Sequence, residues 1–392
     1  MKLRQHIIST LCILLRLPFA FLDGIQRPFV HRARTHPRSI VVIKPCCLGD
    51  LIMTTPLLEV LQRSYPEAKI TYVAGTWSKV IVEHHPAVST VINCGTVGIP
   101  GRYHLKDYFR LALLLRRHHF DLAFVLDRSP LMTLLPWFAG VPRRVGPDSL
   151  GRGFSLTDRV PVSASPQQLQ HQAEIYFDLA RAIGLSADHP RMRFVTTQEE
   201  RQTIPPDTRL RVAVFPGGGS NPGMELTAKR WPLERYHEIV YKLVNERNAH
   251  VLLIGGPDDK ALTSALLDGL DVPAGTITNL AGKTSFGELA AYIEASALFI
   301  GNDSSPMHLA AAVGTPVIAI FGPTSPQEYG PYPPDDPKHI ALWHNPKGQP
   351  CFFLGKVQPC VDCTCMQAVT VDDVWTAVER LIPSTSNSEV AP

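Results

Sequence analysis

A short β-branched run followed by a helical pattern recurs along this chain, stops at a polar stretch, and then starts again. Ser39–Lys44 (SIVVIK) reads as a buried strand and Leu51–Ser64 as a helix. Lys69–Ala74 and Val88–Ile92 read as strands, Leu105–His118 as a helix and Asp121–Leu126 as a strand, with helix-like apolar sequence up to Phe138. Residues 196–209 (TTQEERQTIPPDTR) are polar, hold two prolines and lack periodicity, which marks a linker. The alternation resumes with strands at Arg211–Phe215, His250–Ile254, Leu298–Ile300 and Val317–Phe321, and helices at Leu233–Arg247, Phe286–Ser296 and Pro306–Val313. Strands that are apolar throughout, rather than at every second residue, belong in parallel sheets covered on both faces. The pattern predicts an α/β chain of two doubly wound, Rossmann-like halves, with a central cleft where the carboxyl ends of the two sheets face each other.

The boundaries that follow are an N-terminal arm at 1–38, a first domain at 39–195, the linker at 196–209, a second domain at 210–384 and a flexible tail at 385–392. A chain of 392 residues has room for two or three domains. With 45% apolar and 19% charged residues it is neither disordered nor collagen-like. A net charge of +3 gives no reason to expect nucleic acid as a partner.

That small charge is unevenly spread. Lys2, Arg4, Arg16, Arg27, Arg32, Arg34 and Arg38 face a single acid, Asp23, so the arm carries +6 and the remainder −3. Between Ile7 and Leu22 the arm is apolar, with Leu3, Ile7, Leu11, Leu14, Leu15 and Pro18 at helical spacing. The 16-residue stretch is shorter than the roughly 20 residues a spanning helix needs, and Arg16 interrupts it. No small-x-small cleavage site follows, which disfavours a signal peptide. A basic amphipathic segment of this kind lies on an anionic membrane surface rather than through it. Packing on the protein's own body is the alternative.

The eight cysteines form no secreted disulfide framework and point to the cytosol. Cys46 and Cys47 are adjacent and cannot pair without strain. Cys351, Cys360, Cys363 and Cys365 are spaced too irregularly for a zinc ribbon. They read as free thiols in a surface loop, with no metal assigned.

Three strand-end segments carry candidate chemistry. Leu48-Gly49-Asp50 follows the first strand, where Asp50 faces the ligand crevice or simply caps a helix. Phe215–Gly223 (FPGGGSNPG) follows the first strand of the second half, where the backbone of Gly217 and Gly218 offers N–H groups to a diphosphate. Just downstream, Lys229 and Arg230 precede a helix, as diphosphate ligands or as a solvated pair. Gly301–His308 (GNDSSPMH) joins a strand to a helix that Ser304 or Ser305 caps, with Pro306 in its first turn, so the helix dipole favours a phosphate there. His308 is a ligand or a structural histidine. Neither half opens with G-x-G-x-x-G, which counts against a nicotinamide dehydrogenase.

Taken together, IKPCCLGDLIMTTPLLEVLQRSYPEAKITYVAG, AKRWP, LIGGPDD and GNDSSPMHLAAAVGTPVIAIFGPTSPQEYGP resemble the heptosyltransferase family, glycosyltransferase family 9, from about Ser39 to Ile382. The resemblance implies a GT-B enzyme that moves heptose from ADP-heptose to a lipopolysaccharide inner-core acceptor, inverting the anomeric centre in a single displacement. It implies Asp50 as general base, Lys229 as diphosphate ligand, and Asp303, Ser304, Ser305 and His308 at the sugar and phosphates. Asp258 or Asp259 is the implied partner of the ribose hydroxyls. Ser304-Ser305 stands where the family more often has Thr-Gly. Asp127-Arg128-Ser129-Pro130 stands where many relatives have a D-x-Q-G-like segment, and Asp127 is the next candidate base.

The cations expected to meet acceptor phosphates are Arg102, Lys106, Arg128, Arg143 and Arg144. The ADP-sugar is a co-substrate, and no separate cofactor or metal is called for. The implied partners are ADP-heptose, a lipid-linked glycan and an anionic membrane, placing the chain at the cytoplasmic face of the inner membrane. A different sugar nucleotide or a non-lipopolysaccharide acceptor is the alternative within the class. A non-catalytic sugar-nucleotide-binding protein is the alternative outside it.

Overall fold

The computed structural model describes residues 9–26, 35–99, 101–163, 165, 167–188, 190–221, 224–344, 350–353, 356–357 and 364–383. Lys2, Arg4, Arg27, Arg32 and Arg34 of the arm, Cys360, Cys363 and the tail at 385–392 lie outside the described residues. The chain divides into two units, Met1–Pro190 and Arg191–Pro392.

In the first unit, strands β1 (Ser39–Ile43), β2 (Lys69–Ala74), β3 (Thr90–Asn93), β4 (Leu122–Val125), β5 (Arg143–Asp148) and β6 (Asp158–Pro161) form one sheet in the order β3-β2-β1-β4-β5-β6. Every pair in it is parallel. Ile40 to Ile43 are fully buried because helices cover both faces. Helix α1 (Arg16–Gln26) precedes the sheet. Where one helix was expected over Leu51–Ser64 there are two, α2 (Leu48–Ile52) and α3 (Thr55–Ser64). The break falls at Met53-Thr54, where the Thr54 hydroxyl bonds to the Leu51 carbonyl and the Tyr72 hydroxyl, and Pro56 opens the next helix. Helices α4 (Leu105–Arg116), α5 (Pro130–Phe138) and α6 (Gln172–Arg181) complete the unit. Tyr108, Leu111, Ala112 and Leu115 of α4 fill one core with Val41, Ile43, Ala123 and Val125.

The second unit repeats the plan. Strands β7 (Arg211–Phe215), β8 (His250–Leu253), β9 (Ile277–Asn279), β10 (Leu298–Asn302), β11 (Val317–Phe321) and β12 (His339–Trp343) form a parallel sheet in the order β9-β8-β7-β10-β11-β12. The helices are α7 (Gln198–Gln202), α8 (Leu233–Arg247), α9 (Lys260–Leu267), α10 (Phe286–Glu294), α11 (Ser305–Val313) and α12 (Val371–Leu381), with one-turn helices at Pro326–Tyr329 and Cys365–Ala368. Both sheets have the 3-2-1-4-5-6 order of a dinucleotide-binding fold, so each has a switch point between its first and fourth strands.

Two expected boundaries move. The stretch at 196–209 is not a free linker. Thr197 and Glu200 form a reciprocal capping box that starts α7, and Thr196 and Arg201 bond to Glu294 of α10. A Cβ on Gly287 would meet the Glu200 carboxylate, so a larger residue there would push that side chain out of the capping box. The arm is not a separate segment either, because α1 packs on the first unit. Arg16 pairs with Asp148, Asp23 accepts from Trp137 and Arg144, and the Phe19 ring meets Trp137 and Phe154 edge-on. A turn at Leu15 interrupts the helical run of the arm. No helix among the described residues is long and apolar enough to cross a membrane.

Candidate active site

The sequence motifs fall on the loops that leave the two switch points. In the first unit, β1 runs into Lys44, Pro45 and the Cys46-Cys47 pair, and Asp50 sits in the first turn of α2. Lys44 Nζ lies 3.1 Å from Asp50 Oδ2, with the lysine largely buried and the carboxylate partly open to solvent. Burial works against the lysine's charge, but Asp50, supported by Tyr176, Asp127 and Cys47, holds its pKa well above the usual range. Tyr176 on α6 is buried and pushed up to about 12, so it is a neutral phenol at physiological pH. From the fourth strand comes Asp127, whose Oδ1 accepts the Ser129 N–H at 2.7 Å ahead of α5. Lys44 was not singled out from sequence. Its neighbour six residues later is the carboxylate it serves, and no local pattern announces that pairing.

Cys47 takes a left-handed backbone with φ 77°, which brings the Cys46 and Cys47 thiols within 2.7 Å. The hydrogen bond between them lowers the pKa of Cys46 and raises that of Cys47, so Cys46 is the more acidic thiol. Cys365, expected in a surface loop, is instead buried on its one-turn helix, while Cys351 is half-buried.

In the second unit, one buried side chain ties the segments together. Asn302, at the end of β10, donates from Nδ2 to the carbonyls of Pro216 and Gly217 at 3.1 and 2.9 Å. Its Oδ1 accepts from the Trp231 N–H at 3.2 Å and the Tyr236 hydroxyl at 3.0 Å. The glycine-rich loop, the Lys-Arg-Trp segment and the strand end are thereby fixed to each other. Lys229 is buried, with Nζ 2.7 Å from Asp303 Oδ2, so two expected donor ligands pair with each other.

Packing gives two of these glycines a reason of their own. A Cβ on Gly217 would press on Asp259 Oδ1 and the Phe215 ring, and one on Gly218 would collide with the Leu226 carbonyl. Both are buried and serve internal packing. Asp259 Oδ2 accepts the Gly256 N–H at 2.9 Å and so shapes the turn after β8, which leaves Asp258 as the acid without that structural duty. Ser304 is the N-cap of α11 but makes no side-chain cap bond, because its hydroxyl donates to the Asn302 carbonyl at 3.2 Å. Ser305 and Pro306 open the helix, and His308 is buried within it.

Comparison with known proteins settles the family. The sequence profile of glycosyltransferase family 9 (heptosyltransferase) matches residues 108–360. The lipooligosaccharide heptosyltransferase 2 of Haemophilus influenzae is 30% identical over 301 residues, covering 74% of this chain and 84% of that one. The chain belongs to glycosyltransferase family 9. Among solved structures, the Escherichia coli ADP-heptose lipopolysaccharide heptosyltransferase II is similar at a TM-score of 0.68 and 25% identity, covering 88% of this chain and 98% of that one. A family 9 glycosyltransferase from Veillonella parvula shares the fold at a TM-score of 0.71 and 21% identity, covering 91% and 99%. The two doubly wound units are those of a GT-B enzyme, and this family 9 member is a glycosyltransferase.

Within the family 9 frame, the expected acceptor cations separate into two groups. Arg102 and Lys106 are exposed beyond the carboxyl end of β3, and Arg128 follows β4, all on the edge that carries Asp50. Arg143 and Arg144 open β5 at the opposite, amino-terminal edge of the parallel sheet. Arg143 is paired with Asp158, and buried Arg144 serves Asp23 and the carbonyls of Val141 and Ser155. These two arginines are structural and drop out of the acceptor set.

Proposed function

We propose that this glycosyltransferase moves heptose from ADP-heptose to a lipid-borne lipopolysaccharide inner-core acceptor at the cytoplasmic face of a membrane. The observation that carries the reading is the placement of Asp50 and of the Gly217–Asp303 cluster at the switch points of two sheets in a family 9 chain. The acceptor hydroxyl attacks the anomeric carbon, its proton passes to Asp50, and the bond to ADP breaks with inversion. Lys44 holds the Asp50 carboxylate in place, and Arg102, Lys106 and Arg128 are the cations left for acceptor phosphates. Lys229 and the amino end of α11 are assigned to the leaving diphosphate, with Asp303, Ser304, Ser305 and His308 around it and Asp258 at the ribose. The arm, with its +6 charge, faces the anionic surface from which the acceptor is drawn.

The test is Asp50→Asn. General-base help is worth about 10²- to 10⁴-fold, so kcat should fall within that range while KM for ADP-heptose changes little. A variant with wild-type kcat would transfer the role to Asp127. In calorimetry ADP should bind more tightly than UDP or GDP, and the reverse order would overturn the donor.

A further inference from the structure

Two exposed apolar stripes of the same spacing lie on the first unit. On α1, Leu17, Phe21 and Ile25 follow each other at every fourth residue, with Leu17 81% and Phe21 70% exposed. On α4, Leu105, Phe109 and Leu113 repeat the pattern, with Leu105 66% and Leu113 62% exposed. At 100° per residue each set forms one stripe along its helix. Neither stripe is needed for the core. The buried face of α4 is made by Tyr108, Leu111, Ala112 and Leu115, and α1 docks through Arg16, Phe19 and Asp23.

The stripes flank a continuous aromatic seam. Phe19 meets Trp137 at 5.2 Å, Trp137 meets Phe138 at 5.2 Å, and Phe138 meets Phe109 at 5.4 Å between ring centroids. Phe109 thus belongs both to the seam and to the α4 stripe. Helical geometry puts Lys106 and Arg110 on the outer shoulder of that stripe, and Arg116 and Arg117 close the helix. Asp107 is the one acid on α4 and lies 3.6 Å from Arg110, which leaves Lys106, Arg116 and Arg117 as the excess positive charge of the helix. Apolar side chains beside a row of cations match a surface that is greasy within and anionic outside.

We propose that α4, together with α1, is a docking surface for an anionic phospholipid bilayer, its Leu105-Phe109-Leu113 stripe entering the headgroup boundary. The proposal rests on the membrane-facing reading of the arm and extends it to a second helix. α4 starts at the carboxyl edge of the sheet, next to Arg102 and on the side that carries Asp50. The contact therefore holds the acceptor-facing edge against the lipid.

The experiment compares the full chain with two double variants, Leu105→Ser/Leu113→Ser on α4 and Leu17→Ser/Phe21→Ser on α1. All four substituted side chains are exposed, and Phe109 is kept so that the seam stays intact. Binding is measured by co-sedimentation with vesicles of phosphatidylglycerol and phosphatidylethanolamine, at low and high salt. Melting temperature and turnover of a delipidated, water-soluble acceptor serve as controls. Each variant should bind these vesicles roughly tenfold more weakly, with the controls unchanged. If only the α1 variant loses binding, the arm reading stands and the α4 surface is overturned. If the wild-type chain binds no vesicles, both fall. If the wild type is a dimer that the α4 variant converts to monomer without loss of vesicle binding, the stripe is a contact between copies and the proposal is overturned.

Discussion

Lys229 Nζ lies 2.7 Å from Asp303 Oδ2, and both side chains are buried. The lysine assigned to the donor diphosphate therefore already has an acidic partner. Binding ADP must compete with, or join, this pair. Lys229→Ala should destabilise the chain by about 3 kcal/mol, because it strands a buried carboxylate. It should also abolish the rise in melting temperature that ADP gives the wild type. A variant that melts earlier but keeps the full ADP shift would make Lys229 structural only.

Lys44 and Asp50 make a second internal pair with a predictable pH signature. The folded pKa of Lys44 is raised well above the unfolded value of about 10.4. Its contribution to stability is complete below that pH and is lost as the pH rises through the folded value. The Tm difference between wild type and Lys44→Met should be constant from pH 7 to about 10 and should shrink above it. A difference that already shrinks between pH 7 and 9 would contradict the pairing.

What the sequence revealed and what it hid follow one rule. Strands β1, β4, β7 and β11, which each hold four or more consecutive apolar residues, are legible because both faces are buried. β5 and β6 were not, since Arg143-Arg144 and Gly146-Pro147 look like a loop until Thr157 and Asp158 are brought beside them. Asp50, Gly217 and Asp303 stand out in the sequence because each lies in a segment that follows a predicted strand. The partners they meet in the fold do not. Lys229 and Asp303 are 74 residues apart, and Asn302 and Gly217 are 85 apart. A contact at that separation leaves no local pattern to read.

The arm's docking gives a stability prediction with an internal control. Arg144 is buried and bonded to Asp23 Oδ2 at 2.5 Å, whereas Arg143 and Asp158 are partly exposed. Asp23→Asn should cost about 1.5–3 kcal/mol in urea unfolding, the worth of a hydrogen bond to a charged group. Asp158→Asn, at the more solvated pair, should cost under about 1 kcal/mol. Equal losses would mean that α1 adds little to the unit it sits on. For the same reason, deleting residues 1–36 tests folding as well as membrane binding, which is why the vesicle experiment uses surface substitutions.

Asn302 should be the least replaceable residue of the second unit that touches no substrate in the proposed reaction. Its amide has two donors and an acceptor, and all of them are used, on Pro216, Gly217, Trp231 and Tyr236. Asn302→Ala leaves those groups buried and unsatisfied, at about 1–3 kcal/mol for the worst-placed of them. Asn302→Asp keeps the volume but cannot donate to the two carbonyls and buries a charge, so it should be the more destabilising variant. Urea unfolding gives the order, and ADP calorimetry on whatever folds gives the consequence. If the Asn302 contacts fix the glycine loop against the Lys229 segment, Asn302→Ala should weaken ADP binding without altering a group assigned to the nucleotide. Unchanged ADP affinity in a destabilised Asn302→Ala variant would show that these bonds support the unit but do not set the donor loop.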